Sequence, residues 1–304
     1  MSIRDTVGVV GLGIMGGAFA QHLAAAGVRT LGYDLVQTHM DALTAQGGES
    51  CPSARVVAAE ADLVITSLPH SEALEDVLFG RDGIVAAGRP GILVVETSTL
   101  PLKVRERART RLASAGIGML DAPVSGTGGQ ANVKDITILA SGDLTDFERA
   151  RGTLSHFARS VRYVGSFGDG SKVKYIANLL VAVHILAAAE ALVLGEQAGL
   201  DPAALLDLLT DSAATSRMLE VRGPSMVNAG YTVPMVRADI FQKDLGIISD
   251  FARQSGVAAP LFSASVPYFA ELSALGMGGY DTAAVIAVMR RMAQPASEQS
   301  RATD

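Results

Sequence analysis

Three glycines near the start of the chain constrain its fold more than any other feature. They have the spacing G-x-G-x-x-G and stand between an apolar, β-branched run and a helix-forming segment. In such a unit the first glycine permits a tight turn, the second lets a phosphate approach the backbone, and the third lets helix and strand pack closely. A dinucleotide is therefore expected here, in contact with Gly11, Leu12, Gly13, Ile14, Met15 and Gly16.

An acidic residue follows the second strand-like run. Asp34 stands 18 positions after Gly16, where a carboxylate can accept hydrogen bonds from an adenosine ribose and repel a 2′-phosphate. We therefore expect NAD as the cofactor, and NADP stays open because a neighbouring basic residue can override the carboxylate. The alternative is a glycine-rich structural turn beside a surface aspartate.

Short apolar runs alternate with helix-forming stretches over the first 165 residues. This alternation predicts a parallel, doubly wound α/β sheet of the Rossmann type. The strand-like runs are Thr6–Val10, Thr30–Tyr33, Leu63–Ser67 and Ile92–Glu96, with Gly118–Asp121 and Ile136–Ala140 as continuations of the same sheet. Ligands of such folds collect beyond the carboxyl ends of the strands, so further cofactor contacts are expected from Ser67, Leu68, Pro69, Ser98 and Thr99.

The second part of the chain is helical in pattern. Ser171–Ala198 has no proline, and no glycine before Gly195, so it can form one helix of about 40 Å. This helix is apolar around most of its circumference, which predicts burial between domains or against another subunit. The expected organisation is a Rossmann domain over 1–166, a long interdomain helix leading into an all-α substrate and oligomerisation domain over 167–296, and a disordered tail over 297–304.

Composition and charge exclude several classes of function. A formal net charge of -6 argues against a protein that binds a phosphate backbone. Cys51 is the single cysteine, and the histidines show no metal-ligand spacing, so we expect no metal. Tyr175–Gly195 is long enough to span a bilayer. However, Asn178 and Glu190 inside it favour a buried helix of a soluble protein. The single cysteine fits a reducing compartment, so we expect a cytoplasmic protein. The long apolar helix suggests a homodimer or homotetramer.

One lysine stands out as a candidate acid/base. Lys174 lies at the start of the long helix, and Asn178 follows four residues later on the same face. An amine near an apolar cleft loses hydration, and this lets it exchange a proton near neutral pH. Taken alone, the pair could also be a solvated lysine and a polar residue at a helix end.

Four motifs occur in an order that is typical of one family. They are GLGIMGG at 11–17, ETST at 96–99, DAPVSG at 121–126 and GDGSKVKYIAN at 168–178, and a fifth element, KDL, lies at 243–245. With these motifs the chain resembles, over nearly its whole length, the β-hydroxyacid dehydrogenases. That family includes 3-hydroxyisobutyrate dehydrogenase, tartronate semialdehyde reductase and 6-phosphogluconate dehydrogenase.

The resemblance implies an activity and a set of site residues. The activity is hydride transfer between a nicotinamide cofactor and a small β-hydroxy acid, such as 3-hydroxyisobutyrate or a related semialdehyde pair. Lys174 would be the catalytic acid/base, and Asn178 would hydrogen-bond the substrate. Substrate contacts would come from Ser125, Gly126, Thr127 and Lys243, of which Lys243 would also contact the cofactor.

Substrate choice stays open at this point. Gln130 stands where the family usually has glycine, so the family's specificity does not transfer directly. Two alternative functions remain: a reductase of the same fold that acts on another small carbonyl or an imine, and a non-catalytic protein that senses a dinucleotide. The presence of both Lys174 and Asn178 favours an enzyme.

Overall fold

The computed structural model describes residues 6–293. The predicted tail over 297–304 lies outside the described residues, as does the end of the predicted second domain. The chain divides into two compact units after Lys174. This division falls within a continuous helix, whereas the sequence pattern placed a domain boundary at 166.

A parallel sheet forms the centre of the first unit. Its strand order is β3-β2-β1-β4-β5-β6, and every neighbouring pair is parallel. The strands are β1 (Thr6–Val10), β2 (Arg29–Tyr33), β3 (Glu49–Ser50), β4 (Leu63–Thr66), β5 (Leu93–Glu96) and β6 (Gly118–Asp121). This is the doubly wound Rossmann order, so the predicted fold class is confirmed.

A second, smaller sheet follows, and it corrects one expectation. The run Ile136–Ala140 was expected to continue the main sheet, but its strand belongs to a separate sheet with the order β7-β8-β9. These strands are β7 (Val124–Ser125), β8 (Thr137–Ala140) and β9 (Ser160–Tyr163). The chain turns after β6, and β7 pairs antiparallel with β8. Such long-range pairing leaves no trace in the alternation of apolar residues along one strand.

Helices cover both faces of the main sheet. In β1, Val7 and Val9 pack on one face with Phe19 of α1, whereas Val10 packs on the opposite face with Val57 of α3, as the period of two along a strand requires. The helices of the first unit are α1 (Ile14–Ala25), α2 (Gln37–Ala45), α3 (Ala54–Glu60), α4 (Ser71–Phe79), α5 (Leu102–Ser114), α6 (Gly128–Asn132) and α7 (Leu144–Leu154), with a 3₁₀ turn at Val85–Ala87.

The long helix α8 (Asp169–Gln197) leads from the first unit into the second. It is long and apolar enough to cross a bilayer, but core helices of soluble proteins share these properties. Within the chain it buries Ile185 and Leu192, while Ile176 and Leu180 are exposed. The predicted long helix is thus present, and part of its apolar surface is not covered by the residues that the structure describes.

The described part of the second unit is helical, as predicted. After α8 come α9 (Pro202–Thr210), α10 (Arg217–Val227), α11 (Ala238–Gln254), α12 (Pro260–Ala274) and α13 (Val285–Ala293), with 3₁₀ turns at Gly230–Thr232 and Thr282–Ala284. A buried ion pair joins these elements: Arg222 Nη1 lies 3.2 Å from Asp281 Oδ2. The same carboxylate accepts the N–H of Met235 at 2.7 Å. Burial lowers the pKa of Arg222, and the charge of Asp281 opposes that shift.

Candidate active site

The glycine loop lies where the strand order of the sheet reverses. β1 stands between β2 and β4, and backbone hydrogen bonds join the ends of all three strands. Gly11 donates to the carbonyl of Tyr33 at 2.9 Å, and Ser67 donates to the carbonyl of Val10 at 3.0 Å. In open α/β sheets, ligands bind in the crevice beyond the carboxyl ends of the strands at such a point.

The backbone geometry of the three glycines is compatible with the roles that their spacing predicts. Gly11 has a φ of +88°, and a Cβ at this position would overlap the carbonyl oxygen of Ser67. A Cβ at Gly16 would overlap the carbonyl oxygen of Gly11, so this residue permits the close approach of helix and strand. A Cβ at Gly13 would meet nothing within 4 Å, which leaves space for a ligand to approach the backbone.

The beginning of α1 fits the pyrophosphate of a dinucleotide. Its N-cap residue is Gly13, which has no side chain to accept the first N–H groups, and no acidic residue lies in the first turn. Ile14, the first helical residue, is 64% exposed. Uncapped N–H groups and the positive end of the helix dipole favour an anion at this position. The residues present therefore fit the predicted cofactor.

The Asp34 carboxylate is held beside the same loop. One of its oxygens accepts the N–H of Leu12 at 2.6 Å, and the other accepts the N–H of Val36 at 2.8 Å. The Nδ1 atom of His39 lies 3.3 Å from Asp34 Oδ1. A carboxylate has about four acceptor sites, so two bonds to the backbone leave capacity for ribose hydroxyls. Asp34 thus holds the loop in place through hydrogen bonds and is also a candidate ribose ligand.

The ends of β4 and β5 are joined to each other. The Ser98 hydroxyl accepts the N–H of Leu68 at 2.7 Å. Ser98 is buried, Thr99 is partly buried, and the segment 67–69 becomes more exposed toward Pro69. Ser98 therefore has a structural partner of its own, and cofactor contact by these residues stays a prediction.

The turn after β7 carries the predicted substrate contacts. Gly126 has a φ of +146°, and a Cβ there would lie 2.6 Å from the side chain of Ile136, so glycine is required. Thr127 begins α6 with a capping box: its N–H donates to Gln130 Oε1 at 3.0 Å, and its hydroxyl accepts the N–H of Gln130. The N–H of Thr127 is therefore engaged by Gln130, whereas Ser125 is partly buried and Gly126 exposed.

This turn lies against the cofactor loop. A Cβ at Gly128 would overlap the side chain of Ile14, the first residue of α1. In addition, His22 Nε2 lies 2.9 Å from the carbonyl oxygen of Ala131 in α6. The structure thus places the predicted substrate turn beside the predicted phosphate loop within the first unit.

The first turn of α8 is fixed to the end of β6. Ser171 donates its N–H to Asp121 Oδ2 at 2.8 Å, and Gly170 donates its N–H to the hydroxyl of Ser141 at 3.0 Å. A Cβ at Gly170 would overlap the carbonyl oxygen of Leu139, so the first turn of the helix can approach β8 this closely only with glycine at this position. Lys174 follows in the next turn and is partly buried.

Asn178 meets the KDL element in the second unit. Its Nδ2 donates to Asp244 Oδ2 at 3.1 Å, and Lys243 Nζ lies 3.4 Å from Asp244 Oδ1. Both Asn178 and Asp244 are buried. The contact holds the Asn178 side chain in one orientation. Asp244 therefore adjoins the predicted site residues, and the sequence did not reveal its hydrogen bond with Asn178.

A buried group of charged side chains was not expected from the sequence. Arg105 of α5 is fully buried, and its Nη1 lies 3.0 Å from Asp121 Oδ1, while its Nη2 lies 3.6 Å from Glu96 Oε1. The hydroxyl of Ser171 is 2.9 Å from Arg105 Nη1 and donates to Asp121 Oδ1 at 2.8 Å. We call these four residues the Arg105 cluster. It adjoins the carboxyl ends of β5 and β6, where the predicted site lies.

Two family models match the chain and together cover most of it. Residues 6–165 match the NAD binding domain of 6-phosphogluconate dehydrogenase. Residues 168–289 match the NAD-binding region of NADP-dependent 3-hydroxyisobutyrate dehydrogenase. The chain belongs to the β-hydroxyacid dehydrogenase family. The resemblance inferred from the motifs is thereby confirmed.

Individual relatives match this chain over nearly its whole length. The chain is 41% identical to L-threonate dehydrogenase of Cupriavidus necator, over 93% of this chain and 95% of that protein. It is 32% identical to NAD-dependent L-serine dehydrogenase of Pseudomonas aeruginosa, over 92% of this chain and 96% of that protein. The crystal structure of 3-hydroxyisobutyrate dehydrogenase from Salmonella typhimurium superimposes with a TM-score of 0.85 at 36% identity, covering 93% of this chain and 99% of that chain.

These matches decide between the functions that the sequence left open. The protein is an NAD(P)-dependent oxidoreductase that acts on a small hydroxy acid. The predicted enzyme class and cofactor class are therefore confirmed, and the alternative of a non-catalytic dinucleotide sensor is not supported. The second family model includes α8, so this helix belongs to the fold of the family.

Proposed function

We propose that this enzyme oxidises a small hydroxy acid with NAD and that Lys174 is its acid/base. In this assignment Lys174 takes the hydroxyl proton during oxidation and returns it during reduction. Asn178 hydrogen-bonds the reacting hydroxyl. The carboxylate of the substrate is held by Ser125 and Gly126, and Lys243 supplies a further positive charge to substrate or cofactor.

One observation carries this proposal. The helix turn that precedes Lys174 is bonded to the carboxyl end of β6, through the contact of Ser171 with Asp121. All strands of the main sheet are parallel, so this end lies at the same edge of the sheet as the glycine loop. The first turn of the helix that carries Lys174 therefore lies at the edge where a dinucleotide is expected. The partial burial of Lys174 favours a less hydrated amine.

The protein's own groups divide the work of the reaction. When bound, the nicotinamide supplies the hydride chemistry. The uncapped start of α1 holds negative charge, and Asp34 orients a ribose. Gly126 offers an exposed backbone to a carboxylate, which fixes the position of the carbon that reacts. Lys174 holds or releases one proton at its amine.

L-threonate is the first substrate to test. The most extensive similarity reported above is to a dehydrogenase of that compound, and 3-hydroxyisobutyrate and L-serine follow from the other two relatives. The position of Gln130 argues for testing all three. Its side chain engages the N–H of Thr127, and the Thr127 hydroxyl oxygen accepts the N–H of Gln130, so we expect Thr127 to contact a substrate through its hydroxyl hydrogen and not through its backbone N–H.

We further propose a cytoplasmic homodimer or homotetramer with two functional domains. The division is a cofactor domain over 1–166 and a substrate and oligomerisation domain over 167–296. The exposed apolar residues of α8, which include Ile176 and Leu180, support self-association. Elution of the purified enzyme as a monomer at micromolar concentration would contradict this part of the proposal.

The test is a comparison of three enzymes. Wild type, Lys174→Ala and Lys172→Ala are assayed with L-threonate, 3-hydroxyisobutyrate and L-serine, following the absorbance of the reduced nicotinamide with NAD and with NADP. We expect Lys174→Ala to lose about 100- to 10,000-fold in kcat, as removal of a general acid/base does. NADH binding, measured by fluorescence, should stay the same.

Lys172→Ala is the matched control. Lys172 lies on the same helix, but its amine pairs with Asp169 at 2.9 Å, and its side chain is 44% exposed. We expect its turnover to stay within about twofold of wild type, because exposed ion pairs contribute little. Turnover that persists in Lys174→Ala would remove Lys174 from the role of base.

A further inference from the structure

The Arg105 cluster is too buried to touch a substrate or a cofactor. Arg105, Glu96 and Asp121 are each 0% exposed, and so is Ser171. The cluster therefore takes no direct part in hydride transfer or in binding. Any influence on the reaction must pass through the elements that it joins.

Those elements are the ends of two strands and the start of α8. Arg105 Nη2 donates to the carbonyl of Glu96 at 2.6 Å, and Nη1 donates to the carbonyl of Ser98 at 2.9 Å. The same Nη1 donates to the hydroxyl of Ser171, in the first turn of α8. One planar guanidinium thus connects β5 and the loop after it to the helix that carries Lys174. Such fork-like donors suit Arg and cannot be reproduced by Lys.

Asp121 completes the connection from the other side. Its two oxygens accept the N–H and the hydroxyl of Ser171, at 2.8 Å each, and Oδ2 also accepts the hydroxyl of Ser141 at 2.9 Å. A carboxylate at the beginning of α8 is favoured by the helix dipole and satisfies a backbone N–H that has no partner within the helix. The first turn of α8 is therefore held on two sides.

Lys174 follows Ser171 by three residues on this helix, so the two lie on one face in successive turns. A rigid turn at Ser171 restricts where the Lys174 amine can lie. We propose that Arg105 is a positioning residue for the dehydrogenase reaction, because it locks the first turn of α8 to the ends of β5 and β6 and thereby fixes Lys174. This inference rests on the proposed role of Lys174.

The chemistry of the cluster supports positioning over mere stability. A buried ion pair stabilises a fold no better than apolar side chains of similar volume, because its desolvation offsets its attraction. Directional hydrogen bonds, by contrast, hold catalytic groups close to the geometry that the reaction needs. A misplacement of about 1 Å can cost about 100-fold in rate.

The experiment uses Ser171→Ala as the main variant, because it removes two hydrogen bonds without leaving a buried charge unpaired. Arg105→Lys is the second variant, and it keeps the charge while losing the fork. Ser265→Ala is the matched control. Ser265 is equally buried in a helix, but its hydroxyl donates only to the carbonyl of Phe262 in its own helix at 2.8 Å.

Two kinds of measurement are made on each full-length enzyme. The first is turnover per NADH-binding site, together with the KM of the hydroxy acid. The second is hydrogen–deuterium exchange of peptides that cover the first turn of α8. We expect Ser171→Ala and Arg105→Lys to lose about 10- to 100-fold in kcat, with KM within about threefold, and to exchange this turn at least about tenfold faster. Ser265→Ala should match wild type in both.

The two readouts separate the possible failures. Unchanged exchange in Ser171→Ala and Arg105→Lys would show that the cluster does not hold the turn. Faster exchange with unchanged kcat, or a loss confined to KM or to the number of NADH-binding sites, would overturn the positioning role. A wild-type enzyme without turnover on any hydroxy acid would contradict the proposed function, while the exchange data would still decide whether the cluster holds α8.

Discussion

Removal of the Asp34 carboxylate should change both the strength and the selectivity of cofactor binding. The side chain is 12% exposed, and its oxygens accept the N–H groups of Leu12 and Val36. From its place after β2, its charge is also expected to meet the adenosine ribose. Two substitutions distinguish the two roles, since Asp34→Asn removes the charge and keeps one acceptor, whereas Asp34→Ala removes every acceptor.

The magnitudes follow from the bonds that are lost. A hydrogen bond to a charged group contributes about 1.5–3 kcal/mol, and each 1.4 kcal/mol corresponds to about tenfold in affinity. Asp34→Asn should therefore weaken NADH binding about 10- to 100-fold and bring NADPH binding closer to it, because a 2′-phosphate no longer meets a negative charge. Asp34→Ala also leaves the buried N–H of Leu12 without an acceptor, which costs about 1–3 kcal/mol more and weakens both cofactors together.

The assay is fluorescence titration of each variant with NADH and NADPH in the absence of substrate. The control is Asp41→Asn, which removes the same charge from an exposed position in α2 and should bind both cofactors as wild type does. Equal NADH affinity in Asp34→Asn and wild type, with an unchanged preference over NADPH, would refute the ribose role. Equal losses in Asp34→Asn and Asp34→Ala would refute the structural role at Leu12.

Two further substitutions test other contacts. Gln130→Gly releases the N–H of Thr127 and removes half of a capping box. We expect the order of KM values among L-threonate, 3-hydroxyisobutyrate and L-serine to change. An unchanged order would exclude Gln130 from substrate selection. Asp281→Asn leaves the charge of Arg222 buried and unpaired and should lower the free energy of unfolding by about 3–5 kcal/mol in urea titrations. Asp250→Asn, which breaks a pair on the surface of α11, should cost less than about 1 kcal/mol, and equal losses in both variants would contradict the ion-pair argument.

The main sheet could be predicted because its signals are local. A strand buried on both faces gives a continuous apolar run, as in β4 and β5, and glycine at the end of β1 marks the turn. The strand β3 was missed because it has two residues, both exposed. The separate sheet that contains β8 was missed for a different reason, since pairing partners depend on the path of the chain between strands.

The cofactor loop could be predicted for the same reason, whereas the Arg105 cluster could not. Gly11, Gly13 and Gly16 lie within six residues of each other, and their tasks depend on backbone geometry alone. The Arg105 cluster assembles residues from positions 96 to 171 through side-chain contacts. One signal was nevertheless present: Arg105, Ala108 and Leu112 share the buried face of α5 at helical spacing, so the sequence marks Arg105 as the arginine of this helix that lies inside.

The Arg105 cluster affects the geometry of the sheet edge at which the predicted site lies. One guanidinium faces two carboxylates, and the buried Arg105 Nε has no hydrogen-bond partner among the described residues. An arrangement with unmet polar groups is a costly way to fill space. It lies at the edge where β1 ends in the cofactor loop and β6 ends at the helix of Lys174. The unfavourable burial is therefore located at the edge where the distance between cofactor and base must be fixed. For this reason we expect that weakening the cluster lowers turnover more than cofactor affinity.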